Sequence, residues 1–475
     1  MLVLAVAAGA CSSSVASSAS GTREGEVAAT VATTVVTTVE TAVSDRPTTT
    51  TSPPVQIAVF DPEVVHTISV EYAAADYDAM IAAYRDGGAK NWIEATVTID
   101  EQVFRRAGTR LKGNSSLFGV GGNNQVVVAA DPNLPSGSAP TAISVIGQPP
   151  PGQPPPGFGP IGAGNAETPE KLPWLIRLDK FVKDQEYQGQ REFVVRSNSS
   201  ETSLNEVLAV ELLAKAGLAT NRMIEVKFSV NGGKPRLRLV VENLGETWAV
   251  DTFGEGGLLY KAEASGDYTY RGTDPGAYDQ MFKQEAGEAN LTPLIEFLDF
   301  INNSSDADFT AKLGDRLDLP AFAKYLALED LVGNFDDISG PGNNSYLYFD
   351  PVTKKFTVVA WDHNLAFGVG FGPGGPGGPP GFDPTKMPAG FDPAKIPGFL
   401  KPNPLVDRFN KIPEFAAMVS EAKTSLQKEL FDSGVASELL KKWQDVVIAH
   451  ADSVVSAATV SSEAAAVTLA FPKPA

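Results

Sequence analysis

IEVKFSVNGGKPRLRLVVE, residues 224–242, consists of two strand-like runs either side of an Asn-Gly-Gly turn and reads as a β-hairpin. A second hairpin is read in NSYLYFDPVTKKFTVVAWD, residues 344–362. Between them PAFAKYLALEDLVGNF (320–335) has helical spacing. Ahead of the first hairpin, Ser203-Leu-Asn-Glu206 reads as a capping box before the amphipathic helix VLAVELLAKAG, which Gly217 ends. Strands that arrive in hairpins among helices predict an α+β fold rather than a parallel, doubly wound sheet.

Outward from this centre the pattern continues. VHTISVEY (65–72) and EATVTID (94–100) alternate as strands do, with a helix expected between them across DYDAMIAAYRDGG. EFAAMVSEAKTSLQKEL and the stretch after it predict C-terminal helices. Two Gly/Pro-rich insertions interrupt the globular pattern, one from about Phe118 to Glu170 and one at about 369–404. Neither can hold a regular helix or a central strand, so both are expected to be long loops. We expect them to be functional, as a lid or docking surface, or low-complexity segments without a role.

The first residues, MLVLAVAAGAC, are a short apolar run closed by Ala8, Gly9 and Ala10 before the single cysteine, Cys11. The run is too short for a membrane-spanning helix, which needs about 20 residues. It reads as the end of a signal peptide with a lipobox-like site, although the usual Leu three residues before the cysteine is absent. Lipidation of Cys11 would anchor the chain to a membrane on the extracytoplasmic side; an ordinary cleaved signal with an incidental cysteine is the alternative. Residues 12–55 are rich in Ser, Thr, Val and Ala and read as a flexible tether. The folded domain is therefore expected over 56–475.

Composition narrows the function. The 475-residue chain carries 57 acidic and 38 basic side chains, a net charge of −19, and has no basic stripe, which argues against nucleic-acid binding. A single cysteine excludes an intramolecular disulfide, and three histidines without ligand spacing argue against a His-based metal site. No GxSxG, HExxH or Walker A sequence occurs. The informative polar residues stand at the ends of expected elements. Asp336 and Asp337 follow a helix, Asn343 and Asn344 precede a strand, and Asp362 ends one. Two carboxylates and a carboxamide at such ends can meet at one point, and oxygen ligands of this kind suit magnesium or manganese. Lys261 in GGLLYKAEA and a loop expected at Arg110–Ser116 could approach phosphates. Each also has a plainer reading: a helix-to-turn residue, a surface lysine, an ordinary loop.

In combination and order, RLKGNSS, PWLIRLDKF, the helix after SSETSLNEV, GGLLYKAEA, NFDD with NNSYLY, and VVAWDHNLAFG resemble the motifs of the spore-coat protein H (CotH) kinase family over about residues 60–430. The resemblance implies an atypical protein-kinase-like fold and transfer of the ATP γ-phosphate to Ser or Thr of proteins with Mg²⁺ or Mn²⁺. It implies Asp336 as catalytic base, with Asp337 the second choice, and Asn344 and Asp362 as metal ligands. It places Lys261, Arg110, Lys112, Asn114 and Lys180 toward the ATP phosphates and Glu242 near the base end. Asn364 stands where the family pattern WDxD has its second Asp, so the resemblance implies it as a third metal ligand, a carboxamide with one negative charge fewer that binds magnesium more weakly. The competing expectation is a catalytically weak or inactive scaffold or adhesion protein on the same fold. A metal-dependent phosphohydrolase is a third, which would leave Lys261 and GNSS without a purpose.

Overall fold

The computed structural model describes residues 59–121, 164–263, 266–334, 336–339, 344–368 and 403–474. Cys11, the 12–55 tether and most of both Gly/Pro-rich insertions lie outside these residues. The described residues from 59 onward form one compact unit. Both helices and strands build it, so the fold is α+β.

The alternation read in 65–72 and 94–100 does form strands, β1 (His66–Glu71) and β2 (Ile93–Ile99), with α1 (Ala74–Gly87) between them. They start a closed seven-stranded barrel with β3 (Gln102–Leu111), β4 (Trp174–Arg177), β5 (Glu192–Val195), β6 (Met223–Val230) and β7 (Arg236–Glu242), in the order β1-β2-β3-β4-β5-β7-β6. All neighbours are antiparallel except the closing pair, in which Ile68 lies against Phe228 and Val70 against Val230 in parallel. The Asn-Gly turn of the first hairpin forms as read: Asn231 and Gly232 are left-handed, and the Gly233 amide donates to the Val230 carbonyl at 2.8 Å. Inside the barrel Ile68, Val97, Trp174, Ile176, Phe193, Val226 and Phe228 make one core.

The outer faces of β4 to β7 belong to a second core, which is why WLIR and EFVV are apolar almost throughout. Leu175, Val194, Leu239 and Val241 pack there with α2 (Leu204–Lys215), a helix whose residues 204–210 are all buried. The same core takes in a four-stranded antiparallel sheet, β11-β10-β8-β9, made of β8 (Leu258–Ala262), β9 (Phe282–Ala286), β10 (Ser345–Asp350) and β11 (Lys355–Ala360). The hairpin expected at 344–362 is β10 and β11. Helices α3 (Glu246–Phe253), α4 (Thr292–Asn303), α5 (Asp306–Lys312) and α6 (Leu319–Val332) surround this sheet. α7 (Pro404–Lys411), α8 (Pro413–Leu426), α9 (Val435–His450) and α10 (Ala457–Leu469) complete the unit. No described helix is long and apolar enough to cross a membrane.

Three local readings change. Ser203 precedes α2 as expected, but it is left-handed (φ 50°) and its side chain caps nothing. Glu206, the other half of the expected capping box, turns instead to Arg196 at 2.9 Å. Arg110 and Leu111, expected in a loop, are the last two residues of β3. At the rims of the first insertion Leu117, Val120 and Leu172 are buried in the barrel core, and a Cβ at Gly164 would meet Lys171 at 2.8 Å.

The loop before α2 is tied to the C-terminus. The Glu463 carboxylate on α10 accepts from the amides of Glu201 and Thr202, both at 2.9 Å, and from the buried Thr202 hydroxyl at 2.5 Å. Glu463→Ala leaves these donors without a charged acceptor and is expected to cost about 2 kcal/mol in urea unfolding. A loss below about 0.5 kcal/mol would show that water replaces the carboxylate.

Candidate functional site

Basic side chains from four segments meet beside the end of β3. The Arg110 guanidinium and the Lys180 ammonium each lie 5.1 Å from the centre of the Trp92 ring. Gly108 makes this stack possible, since a Cβ there would stand 2.5 Å from Lys180 Cγ and 2.9 Å from Trp92 Cε3. Lys112 donates to Asn243 Oδ1 at 3.2 Å, and Asn243 in turn donates to Glu192 at 2.7 Å. Lys261 sits in β8 between Tyr346 of β10 and Lys283 of β9, with Glu263 3.6 Å from its ammonium. Lys90, which sequence reasoning passed over, donates to Asn114 Oδ1 at 2.8 Å.

These cations feel one another. Burial, with Lys261 and Arg110 adding to it, pushes Lys90 down to about 8. Burial and the nearby Lys261 push Lys112 down to about 7, against the pull of Glu285. Buried amines whose charged forms are disfavoured by burial first and by neighbouring cations second would be favoured by added negative charge. A polyanion would supply it.

The acidic half is built around a buried carboxylate. Glu329, near the end of α6, accepts from Asn334 Nδ2 at 2.9 Å and pairs with His363 Nε2 at 2.9 Å, both side chains almost fully excluded from water. Glu329 thereby ties the turn after α6 to the segment after β11. On one side of this tie stand Asp336 and Asp337, and on the other Asp362. The Asp337 carboxylate closes its own turn, accepting from the Ser339 amide at 2.9 Å and hydroxyl at 3.1 Å. Asn344, left-handed at φ 53°, donates to the Asp336 carbonyl at 2.9 Å. Burial, then the charges of Asp362 and Asp337, push the Asp336 carboxyl up to about 7. Asp362, left-handed at φ 68°, has Oδ1 in an ion pair with Arg196. The Asn364 amide donates to Ser199 Oγ at 3.1 Å.

Trp361 joins the halves. Its ring centre is 5.7 Å from the Lys112 ammonium, 5.9 Å from the Arg196 guanidinium and 5.7 Å from the Tyr346 ring. Thus Arg110, Lys112, Lys180 and Lys261 gather on one side, with Asn114 beside Lys90, and Asp336, Asp337, Asn344 and Asp362 on the other. The Glu242 carboxylate is occupied by Arg222, which donates from Nε at 3.0 Å, NH2 at 2.5 Å and its backbone amide at 3.2 Å. A surface hollow of about 730 Å³ beside Tyr77, Ile81 and Arg85 involves none of these residues.

No group of three or more His, Cys, Asp or Glu side chains among the described residues is arranged to hold a metal. Asp336, Asp362 and Asn344 offer two carboxylates and an amide, all hard oxygen donors, and the repulsion between the two carboxylates is what a cation between them would relieve. The donor set fits Mg²⁺ or Mn²⁺ that brings further oxygen ligands with it.

Because the Asp336 carboxyl titrates above its ordinary value, the folded chain holds a proton that the unfolded chain has released between about pH 4 and 7. Stability from this group is full below the ordinary carboxyl range and lost as pH rises through 7. In metal-free buffer Asp336→Asn is therefore expected to melt above the wild type at pH 8, with the gap closing toward pH 5. A gap that does not change with pH would contradict the placement of Asp336.

Among curated proteins none matches this chain. The sequence model of a family described as CotH kinase protein does, over residues 161–454, more than half of the chain. The matched stretch holds Lys180, Arg196, Lys261, Asp336, Asn344, Trp361 and Asp362, whereas Lys90, Arg110, Lys112 and Asn114 precede it. With more than half of its length matched, the chain belongs to the CotH kinase protein family.

Proposed function

We propose that residues 56–475 form an atypical, protein-kinase-like domain that transfers the γ-phosphate of ATP to Ser or Thr hydroxyls of a protein acceptor, the chain's own Ser/Thr-rich tether included. The observation that carries this reading is the meeting, across Trp361, of amines short of negative charge with carboxylates that repel one another. A triphosphate with a divalent cation satisfies both halves at once.

In this mechanism Lys90, Lys112 and Lys261 neutralise the phosphates, with Arg110 and Lys180 held behind them on Trp92. Asp362 and Asn344 hold Mg²⁺ or Mn²⁺, which when bound supplies positive charge to the phosphate oxygens. Asp336 accepts the hydroxyl proton as the acceptor oxygen bonds to the γ-phosphorus and the bond from that phosphorus to the bridging oxygen breaks, releasing ADP. A carboxyl near 7 suits that exchange at neutral pH. Asp337 serves its turn, which favours Asp336 as the base. The apolar leader and Cys11 support an extracytoplasmic, lipid-anchored protein at the cell surface. A second reading, a weak or inactive kinase acting as a scaffold, is favoured by one feature: Asp362 is engaged by Arg196 and Asn364 by Ser199.

Calorimetry with ATP and either metal separates the readings. Wild type is expected to bind ATP only with Mg²⁺ or Mn²⁺, Asp362→Ala to lose this, and Asp336→Asn to bind but transfer no phosphate. Failure of the wild type to bind with either metal would leave the scaffold. Since Lys112 and Lys90 titrate near 7 and 8, phosphate binding at pH 8 should draw protons onto them. The apparent enthalpy should then vary with the ionisation enthalpy of the buffer, and an invariant enthalpy would remove the lysines from the phosphate site.

A further inference from the structure

Arg196 is held by its backbone and by the NH2 end of its guanidinium. Its amide donates to the Leu239 carbonyl at 2.8 Å, its carbonyl accepts from Arg238 Nε at 3.0 Å, and its guanidinium reaches Glu206 on α2 at 2.9 Å. Glu206 is itself buried, so the guanidinium cannot be drawn out toward solvent without stranding a charge. From this fixed position it also takes Asp362 Oδ1. Among the described residues Asp362 Oδ2 makes no hydrogen bond, and Asp362 is the more exposed of the two carboxylates, 27% against 4% for Glu206.

The guanidinium therefore divides its charge between a carboxylate it cannot leave and the one carboxylate that follows β11. Asp362 keeps one oxygen free but less than a full negative charge to offer. Asn364, two residues on, adds none. Magnesium-type cations give up water reluctantly and bind where carboxylates are joined by phosphate oxygens. Here the added negative charge can come from the lysine side, which shares Trp361 with Arg196.

We propose that Arg196 is a resident counter-cation that suppresses binding of a free divalent cation at Asp362, so that the metal enters only together with a polyphosphate. The inference rests on the metal role given to Asp362 above. Arg196 acts through Asp362 and is a positioning residue. Its effect is read without turnover.

The test is Mn²⁺ titration of the whole chain, followed by calorimetry and by the electron paramagnetic resonance signal of free Mn²⁺, with and without ATP. Without nucleotide, Arg196→Gln should bind Mn²⁺ at least about tenfold more tightly than wild type, as removal of a unit charge in contact with a ligand requires. Arg196→Lys, which keeps the charge, should behave as wild type, and adding Asp362→Asn to Arg196→Gln should abolish the gain. Glu206→Gln, which leaves the guanidinium to Asp362 alone, should weaken Mn²⁺ binding, which keeps the inference testable if Arg196→Gln does not fold. Equal Mn²⁺ affinity in wild type and Arg196→Gln, or tighter binding in Glu206→Gln, would overturn it. A gain in Arg196→Gln with no ATP binding by the wild type would uphold the counter-cation and sink the kinase reading.

Discussion

Two titratable side chains shut away from water decide where the rest of the site can be. Glu329 and His363 are 2% and 1% exposed and lie 2.9 Å apart. Burial alone would hold the imidazole neutral, but the Glu329 carboxylate outweighs it and raises the His363 pKa. Such a pair contributes little net stability over an apolar one, yet losing either partner strands a charge in the core. The pair therefore works as a register pin. It fixes the turn that carries Asp336 against the turn that carries Asp362, two segments that β10 and β11 separate in sequence.

From that pin the remaining geometry follows by short links. Trp361 precedes Asp362 and meets Tyr346, whose strand neighbour is Lys261. The barrel contributes at its edge: β3 delivers Arg110 and Lys112, and the segment after β5 delivers Arg196. Two cores that share β4 to β7 thus bring their polar ends to one place.

The sequence showed much of this frame where a local rule governed it. The Asn-Gly turn at 231–232, the second hairpin at 344–362 and the helix closed by Gly333 were legible because each depends on residues close by. Barrel closure was not, since β4 and β5 are four residues long and buried on both faces, which leaves no alternation to read. Ser203 and Glu206 fit a capping box by spacing, and the buried guanidinium of Arg196 overrode it. Asp336, Asn344, Asp362 and Lys261 stand in recognisable motifs, whereas Lys90 and Arg196 are single basic residues whose meaning comes from Lys261 and Asp362, far along the chain.

The parallel seam between β1 and β6 has a temporal side. β1 and β2 are made before the strand that covers the free edge of β1, which lies about 150 residues later in the chain. Among the described strands β6 alone pairs with that edge of β1, at Ile68 and Val70, and an edge left unpaired is the kind of surface that joins with other chains. His66 at one end of β1 is held by Asp100 at 2.8 Å, a contact available as soon as β2 is complete. It ties the start of β1 to the residue after β2 without help from β6, so this end of the antiparallel pair does not depend on barrel closure.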